Sequence, residues 1–300
     1  MRKPLIIALV LALSGCSSVG SNESYTISQE NVRAISLSEK TKFGVSRVVV
    51  LANGVAEVMR SLNAESIIVG RDISSSEDSL SEIPIVTSGH QVIPEKVITL
   101  KPDLVIIDAS TGPNVAINQI RAAGIKVVQT PESWSLQDIA EKIRAVGEAI
   151  GAESQAEQLV QKINQSLSVS KTSNLPRVAF LYLRGTSSVY LIGGSGSGAD
   201  SLLQAVGAID VGAASLTRPF NTLTAESLAA LNPDVILVMS KGLESVGGAS
   251  GLLKLPGVAQ TTAGKRSAII DVDDSLLLSF GPRTPSLVTE LAKALRAVTA

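Results

Sequence analysis

One cysteine and one histidine in 300 residues remove much of metal and redox chemistry at the outset. A lone thiol builds no disulfide framework and no thiolate zinc cluster, and a lone imidazole builds no multi-histidine metal site. Aromatic residues are only 3% of the chain while hydrophobic residues are 45%, so a large core must be aliphatic and small. An excess of either charge is also missing, with 26 Lys and Arg against 27 Asp and Glu. That argues against a nucleic-acid-binding surface, which needs a basic field. Catalytic signatures are lacking too. No G-x-S-x-G nucleophile elbow occurs, and the Gly193–Gly198 run departs from G-x-G-x-x-G at Ser201 and has no K-[ST] of a phosphate loop. A Ser–His–Asp hydrolase would depend on His90 with nothing in the sequence to orient it. The chain is therefore expected not to be an enzyme.

What is present starts with a leader. Arg2 and Lys3 precede the apolar run Leu5–Leu13, which is too short to span a bilayer as a helix. Leu13-Ser14-Gly15-Cys16 resembles a bacterial lipobox. The expectation is a signal peptide over residues 1–15, acylation of Cys16, and a lipidated tether over 16–44 that holds the protein at a membrane surface without crossing it.

From residue 45 the pattern is α/β. Arg47–Ala52, Ile67–Val69, Leu104–Ile107 and Lys126–Gln129 read as strands, with a third short strand at Ile85-Val86. Val55–Leu62, Pro94–Leu100 and Asn114–Ala123 read as helices between them. From Ser135 to Lys171 apolar residues keep near-helical spacing with no proline, which predicts one long helix kinked near Gly151, about 50 Å in length. The α/β pattern then restarts with strands at Arg177–Leu183, Val189–Ile192, Val235–Met239 and Ala268–Val272, and helices at Ala199–Val206, Thr224–Leu231 and Pro285–Val298. An internal repeat supports two lobes: Glu95, Leu100, Pro102 and Asp103 recur at the same offsets as Glu226, Leu231, Pro233 and Asp234, each set ahead of an apolar strand. The expected fold is two doubly wound α/β lobes, 45–134 and 172–300, joined by a linking helix over 135–171, with a ligand in the interlobe cleft.

These pieces resemble the helical-backbone class of substrate-binding lipoproteins of ABC importers, which carry ferric siderophores, cobalamin and haem. Within that class the chain is most similar to hemin-binding proteins of the actinobacterial type. The residues that carry the likeness are Ser88-Gly89-His90-Gln91, Tyr182-Leu183-Arg184-Gly185, Val189 through Asp200, Met239 to Gly248, and Phe280-Gly281-Pro282-Arg283-Thr284-Pro285. The two Glu-x4-Leu-x-Pro-Asp segments specify the superfamily and not the ligand.

The resemblance implies ferric haem as transported ligand, with His90 and Tyr190 as axial iron ligands from opposite lobes. Read without it, His90 is a solvated loop side chain and Tyr190 a strand residue. Arg184 is a candidate for a hydrogen bond to the phenolate or to a propionate; Arg283 either meets propionates in the cleft or caps the last helix. Met239 is left open as a third ligand. Glu95 and Glu226 begin matching helices, where the helix dipole favours an acid; the resemblance implies that they meet arginines of a permease. The expected partners are that ABC permease and its ATPase, haem, and the membrane through the lipid anchor, with the protein a monomer on the outer face of the cell membrane. Siderophore or cobalamin binding is the alternative, and neither ligand requires His90 or Tyr190.

Overall fold

The computed structural model describes residues 24–39, 41–167, 175–185 and 190–300. Cys16 and the leader lie outside the described residues. The described chain opens with a strand, β1 (Tyr25–Ile27), which pairs in parallel with Ile270–Val272 near the other end of the sequence. A tether running to residue 44 is thus corrected: Ile27, Val32 and Leu37 are all buried. Their polar, Ser/Asn-rich setting hid three apolar anchors in the sequence.

The first lobe is built on β2 (Val48–Val50), β3 (Ile68–Arg71), β6 (Leu104–Ile107) and β7 (Lys126–Gln129), in the spatial order β3-β2-β6-β7. Every pairing is parallel. The crossovers carry α1 (Val55–Ser61), a two-stranded hairpin of β4 (Thr87–Ser88) and β5 (Gln91–Val92), α2 (Pro94–Thr99) and α3 (Asn114–Ala122). Ile85 makes only an isolated bridge to Arg71, not a sheet strand. Strand order reverses beside β2, which puts the crevice of a doubly wound sheet at the C-terminal ends of β2 and β6.

The expected single linking helix is two helices. α4 (Ile139–Ile150) stops at Gly151, which takes a left-handed φ of 74°, and α5 (Glu153–Ser166) folds back against it. Ala152 N–H bonds Gly147 C=O at 2.7 Å and Gly151 N–H bonds Glu148 C=O at 3.3 Å, closing the helix end as a Schellman pair. Gly147 lets the helices meet: a Cβ there would lie 2.4 Å from Ala156 Cβ.

The second lobe holds β8 (Arg177–Tyr182), β9 (Tyr190–Gly193), α6 (Ala199–Ala205), β10 (Ile209–Asp210), β11 (Phe220–Leu223), α7 (Ala225–Leu231) and β12 (Val235–Met239). It continues with α8 (Ser240–Ser245), α9 (Gly248–Leu252), α10 (Thr262–Arg266), β13 (Ile269–Val272), α11 (Asp274–Leu277) and α12 (Thr284–Thr299). The order is β1-β13-β12-β8-β9-β11, with β10 beside the start of β8. β9 turns antiparallel to β8, and β11 antiparallel to β9.

Strand alternation divides the core. Val48, Val50, Leu104 and Ile106 from one sheet, and Val178, Phe180, Val235 and Leu237 from the other, belong to one continuous cluster with α4, α5 and α12. Their neighbours Val49, Val105 and Ile107, and Ala179, Leu181 and Ile236, pack separate outer layers under α2–α3 and α7–α10. The lobes therefore share their central core.

Candidate functional site

The C-terminal ends of strands from both sheets converge on a cavity of about 450 Å³. From the first lobe Asn53, Ser74 and His90 reach it; from the second, Tyr182, Arg184, Met239 and Lys241. His90 sits where a two-residue turn joins β4 to β5, preceded by Gly89 at φ 55°. Positive φ at the first turn residue is the glycine requirement of a tight hairpin. It leaves His90 exposed at the tip, lining both the main cleft and a smaller adjoining hollow. Below it, Asp108 fixes the crevice: its Oδ2 accepts Asn53 N–H at 2.9 Å, and its Oδ1 accepts both Ser110 and Thr111 hydroxyls at 2.8 Å.

Across the cleft, β8 ends on Tyr182. Its ring meets Phe220 of β11 edge-on, centroids 5.5 Å apart, and the Arg184 guanidinium lies 5.0 Å from its centroid. Arg184 Nε donates to the Tyr182 hydroxyl at 3.0 Å, and Nη2 donates to the same oxygen. The phenol oxygen is thus held by a fixed positive charge at the cavity wall. Tyr182 belongs to a segment that carries the family resemblance, but as the end of an apolar strand it has no ligand role in the sequence reading. The signal that finds it is position: the last strand residue of a parallel sheet faces the ligand crevice. Tyr190 begins β9 with its backbone opposite Leu223, and its side chain lies outside the described residues. Arg184 does line the cleft, paired with Tyr182.

Arg283 does not. It is buried, donating to Glu57 Oε2 at 2.9 Å, to Glu77 Oε1 at 3.0 Å and to Ser275 C=O at 2.9 Å. It does not reach the cleft, which corrects the propionate reading; it stands at the N-cap of α12, where its C=O accepts Leu287 N–H at 3.0 Å and its side chain makes no capping bond. Burial works against its charge, but Glu57 and Glu77 more than offset that and hold its pKa above the ordinary value. Glu77 carries the cost: burial pushes its carboxyl up, Arg283 pulls it down, and the neighbouring Glu57 adds to the rise. Beside this triad Lys142 of α4 donates to Asn53 C=O at 3.3 Å and Ser279 C=O at 2.5 Å, and burial pushes its ammonium down to about 8.

Glu95 and Glu226 are each the second residue of their helix, α2 and α7, and both are exposed. Backbone N–H and the Thr224 hydroxyl hold the Glu226 carboxyl below the usual range. Among the described residues no three His, Cys, Asp or Glu side chains converge to hold a metal ion. No described helix is long and apolar enough to cross a membrane.

A family model described as periplasmic binding protein matches residues 48–276. An ABC transporter substrate-binding lipoprotein of Bacillus subtilis, YvrC, itself uncharacterised, is 31% identical over 211 residues. That match covers 67% of this chain and 64% of the lipoprotein, so it falls short of two thirds of that relative's length. Among solved structures, the apo periplasmic haem-binding protein RhuT of Roseiflexus sp. RS-1 is 35% identical with a TM-score of 0.80, covering 86% of this chain and all of that one. The haem-binding protein HmuT is 31% identical with a TM-score of 0.76, covering 91% and 94%. Solved variants of HmuT replace a histidine, a tyrosine and an arginine two positions after that tyrosine.

Proposed function

The chain belongs to the periplasmic binding protein family, and from that premise we propose that it captures ferric haem in its interlobe cleft and hands it to an ABC importer. The observation that carries this reading is the Tyr182–Arg184 pair facing the cleft, with His90 on the hairpin opposite. Phenolate is a hard anionic donor suited to Fe(III), and neutral imidazole is a good sixth ligand. Arg184 supports the phenolate by donating to its oxygen. The Tyr-x-Arg spacing matches that of the tyrosine and arginine replaced in HmuT. For that reason Tyr182 takes precedence over Tyr190 as the oxygen ligand. Lys241 on the cleft wall suits a haem propionate, a partner for which Arg184 and, as one of its two readings, Arg283 are the sequence candidates.

The protein does no chemistry on its cargo. It is a monomer tethered through acylated Cys16 outside the cell membrane, docking on a permease whose ATPase drives uptake. Titrating the mature chain with hemin tests this. One equivalent should shift the Soret band of free hemin, Tyr182→Phe should remove the phenolate signature, and His90→Ala should leave a weaker oxygen-ligated complex. Tyr190→Phe should match wild type. An unshifted Soret band would remove haem as the cargo, and binding of a ferric siderophore or cobalamin under the same conditions would replace it.

A further inference from the structure

Each lobe offers the cleft one iron donor, so the span between the donors is a property of how the lobes are joined. With metal–donor bonds of about 2 Å, two axial donors must face each other across about 4 Å. Groups in such a constellation have to be held to within about 0.5 Å. Tyr182 ends a strand inside a large sheet. His90 has no such support: it rides on a hairpin of two two-residue strands, and an isolated two-stranded hairpin is marginal in water. Its place depends on what holds the hairpin.

The hairpin hangs on the loop after β6, where Val92 N–H donates to Gly112 C=O at 2.9 Å. Asp108 gathers that loop through the Ser110 and Thr111 hydroxyls, and its Oδ2 accepts Asn53 N–H. Asn53 then crosses the cleft floor twice. Its Nδ2 donates to Leu278 C=O at 3.0 Å, and its own C=O shares the Lys142 ammonium with Ser279 C=O. Leu278 closes α11, whose Asp274 Oδ2 accepts Lys241 N–H at 2.9 Å. Lys241 follows β12, the strand paired with β8 and so the neighbour of Tyr182. A continuous set of bonds thus runs from the His90 hairpin to the strand ends of the second lobe, and it changes lobe at Asn53.

Given the haem reading above, on which this rests, we propose that Asn53 is a positioning residue for iron ligation. By pinning the loop that carries the His90 hairpin to the second lobe, it holds the imidazole within reach of an iron bound by Tyr182. The Asn53 side chain is exposed on the cleft floor, so Asn53→Ala removes the Leu278 bond without opening a core. The variant should melt as wild type does, yet its ferric hemin spectrum should move toward that of His90→Ala. Hemin affinity should fall about three- to tenfold, the worth of one hydrogen bond. Free imidazole should restore the imidazole-ligated spectrum. In a His90→Ala background there is no imidazole left to place, so adding Asn53→Ala should cost no further affinity. Because Asn53 lines the cleft, the alternative is direct contact with the haem, and its loss would add in full to that of His90→Ala. That additive result overturns the proposal, as does an Asn53→Ala complex with the wild-type spectrum. A wild-type chain that leaves the Soret band of hemin unshifted overturns the haem reading itself, and this inference with it.

Discussion

Asp210 and Arg283 are both charged side chains taken out of water, and they resolve the charge in opposite ways. Arg283 is 6% exposed and saturated by two carboxylates and Ser275. Asp210 is 9% exposed with half of its carboxylate unanswered, and burial pushes its pKa up to about 6. A carboxyl whose folded pKa lies above its unfolded value favours folding while protonated, and that gain is lost as pH rises through about 6. Asp210→Asn should therefore raise stability at pH 7.5 by about 2–3 kcal/mol, with the gain gone near pH 4. Urea midpoints at the two pH values check this, and an unchanged midpoint at pH 7.5 contradicts it. The same contrast shows what single residues reveal in sequence. The loop position of His90 is legible because Gly89 and its polar neighbours mark a turn, while its candidate ligand role comes from the family resemblance alone. Arg283 was not legible, because its partners stand 226 and 206 positions earlier and no local pattern announces a pair at that separation.

At the scale of elements, the internal repeat extends further in the fold than in the sequence. Asp103 and Asp234 follow α2 and α7 at matching points, and each uses Oδ2 to accept the backbone N–H of an arginine at a strand start, Arg47 just before β2 at 2.9 Å and Arg177, first in β8, at 3.0 Å. Each arginine returns a guanidinium bond to a leucine C=O at the helix end, Leu100 just after α2 at 2.7 Å and Leu231, the last residue of α7, at 2.9 Å. The apolar offsets made the helices and strands visible; the arginines escaped notice because charged residues at strand starts are ordinary. Glu95 and Glu226 occupy the same point of this unit, so a two-fold permease would meet one acid per lobe. Glu95→Ala with Glu226→Ala should bind haem normally and fail to stimulate transport; uptake at the wild-type rate would remove the docking role. The helical hairpin was misread for a physical reason. Spacing is helical within each half and no proline interrupts the run, so the stretch reads as one helix; yet Leu159 follows Ile150 by nine residues, about two and a half turns and so on the opposite face of a continuous helix, and the break itself rests on Gly151 and the close contact at Gly147. Gly147→Ala raises helix propensity by about 1 kcal/mol, yet overpacking against Ala156 should cost more, a net loss of about 1–2 kcal/mol. A raised melting midpoint would show that the hairpin opens freely.

For the whole molecule, the shared core and the buried polar ties make the two lobes one body beneath the cleft. Arg283 opens α12, which packs on β1, β12 and β13 of the second lobe, while Glu57 lies on α1 and Glu77 in the loop after β3 of the first. Lys142 links Asn53 to Ser279 beside them, and Asn53 Nδ2 reaches Leu278 C=O at 3.0 Å. Haem capture by a frame held this way would rely on side chains at the rim more than on hinge closure of whole lobes. The test separates the tie from the ligand site. Arg283→Met leaves two carboxylates buried without a counter-charge, which should cost about 3–5 kcal/mol. Adding Glu57→Gln and Glu77→Gln removes those charges and should restore part of the loss. Any variant that stays folded should keep the wild-type hemin spectrum and stoichiometry, because Arg283 does not line the cleft. If Arg283→Met instead kept full stability and weakened hemin binding, this arginine would be serving the ligand, and the lobes would be held together by their apolar core alone.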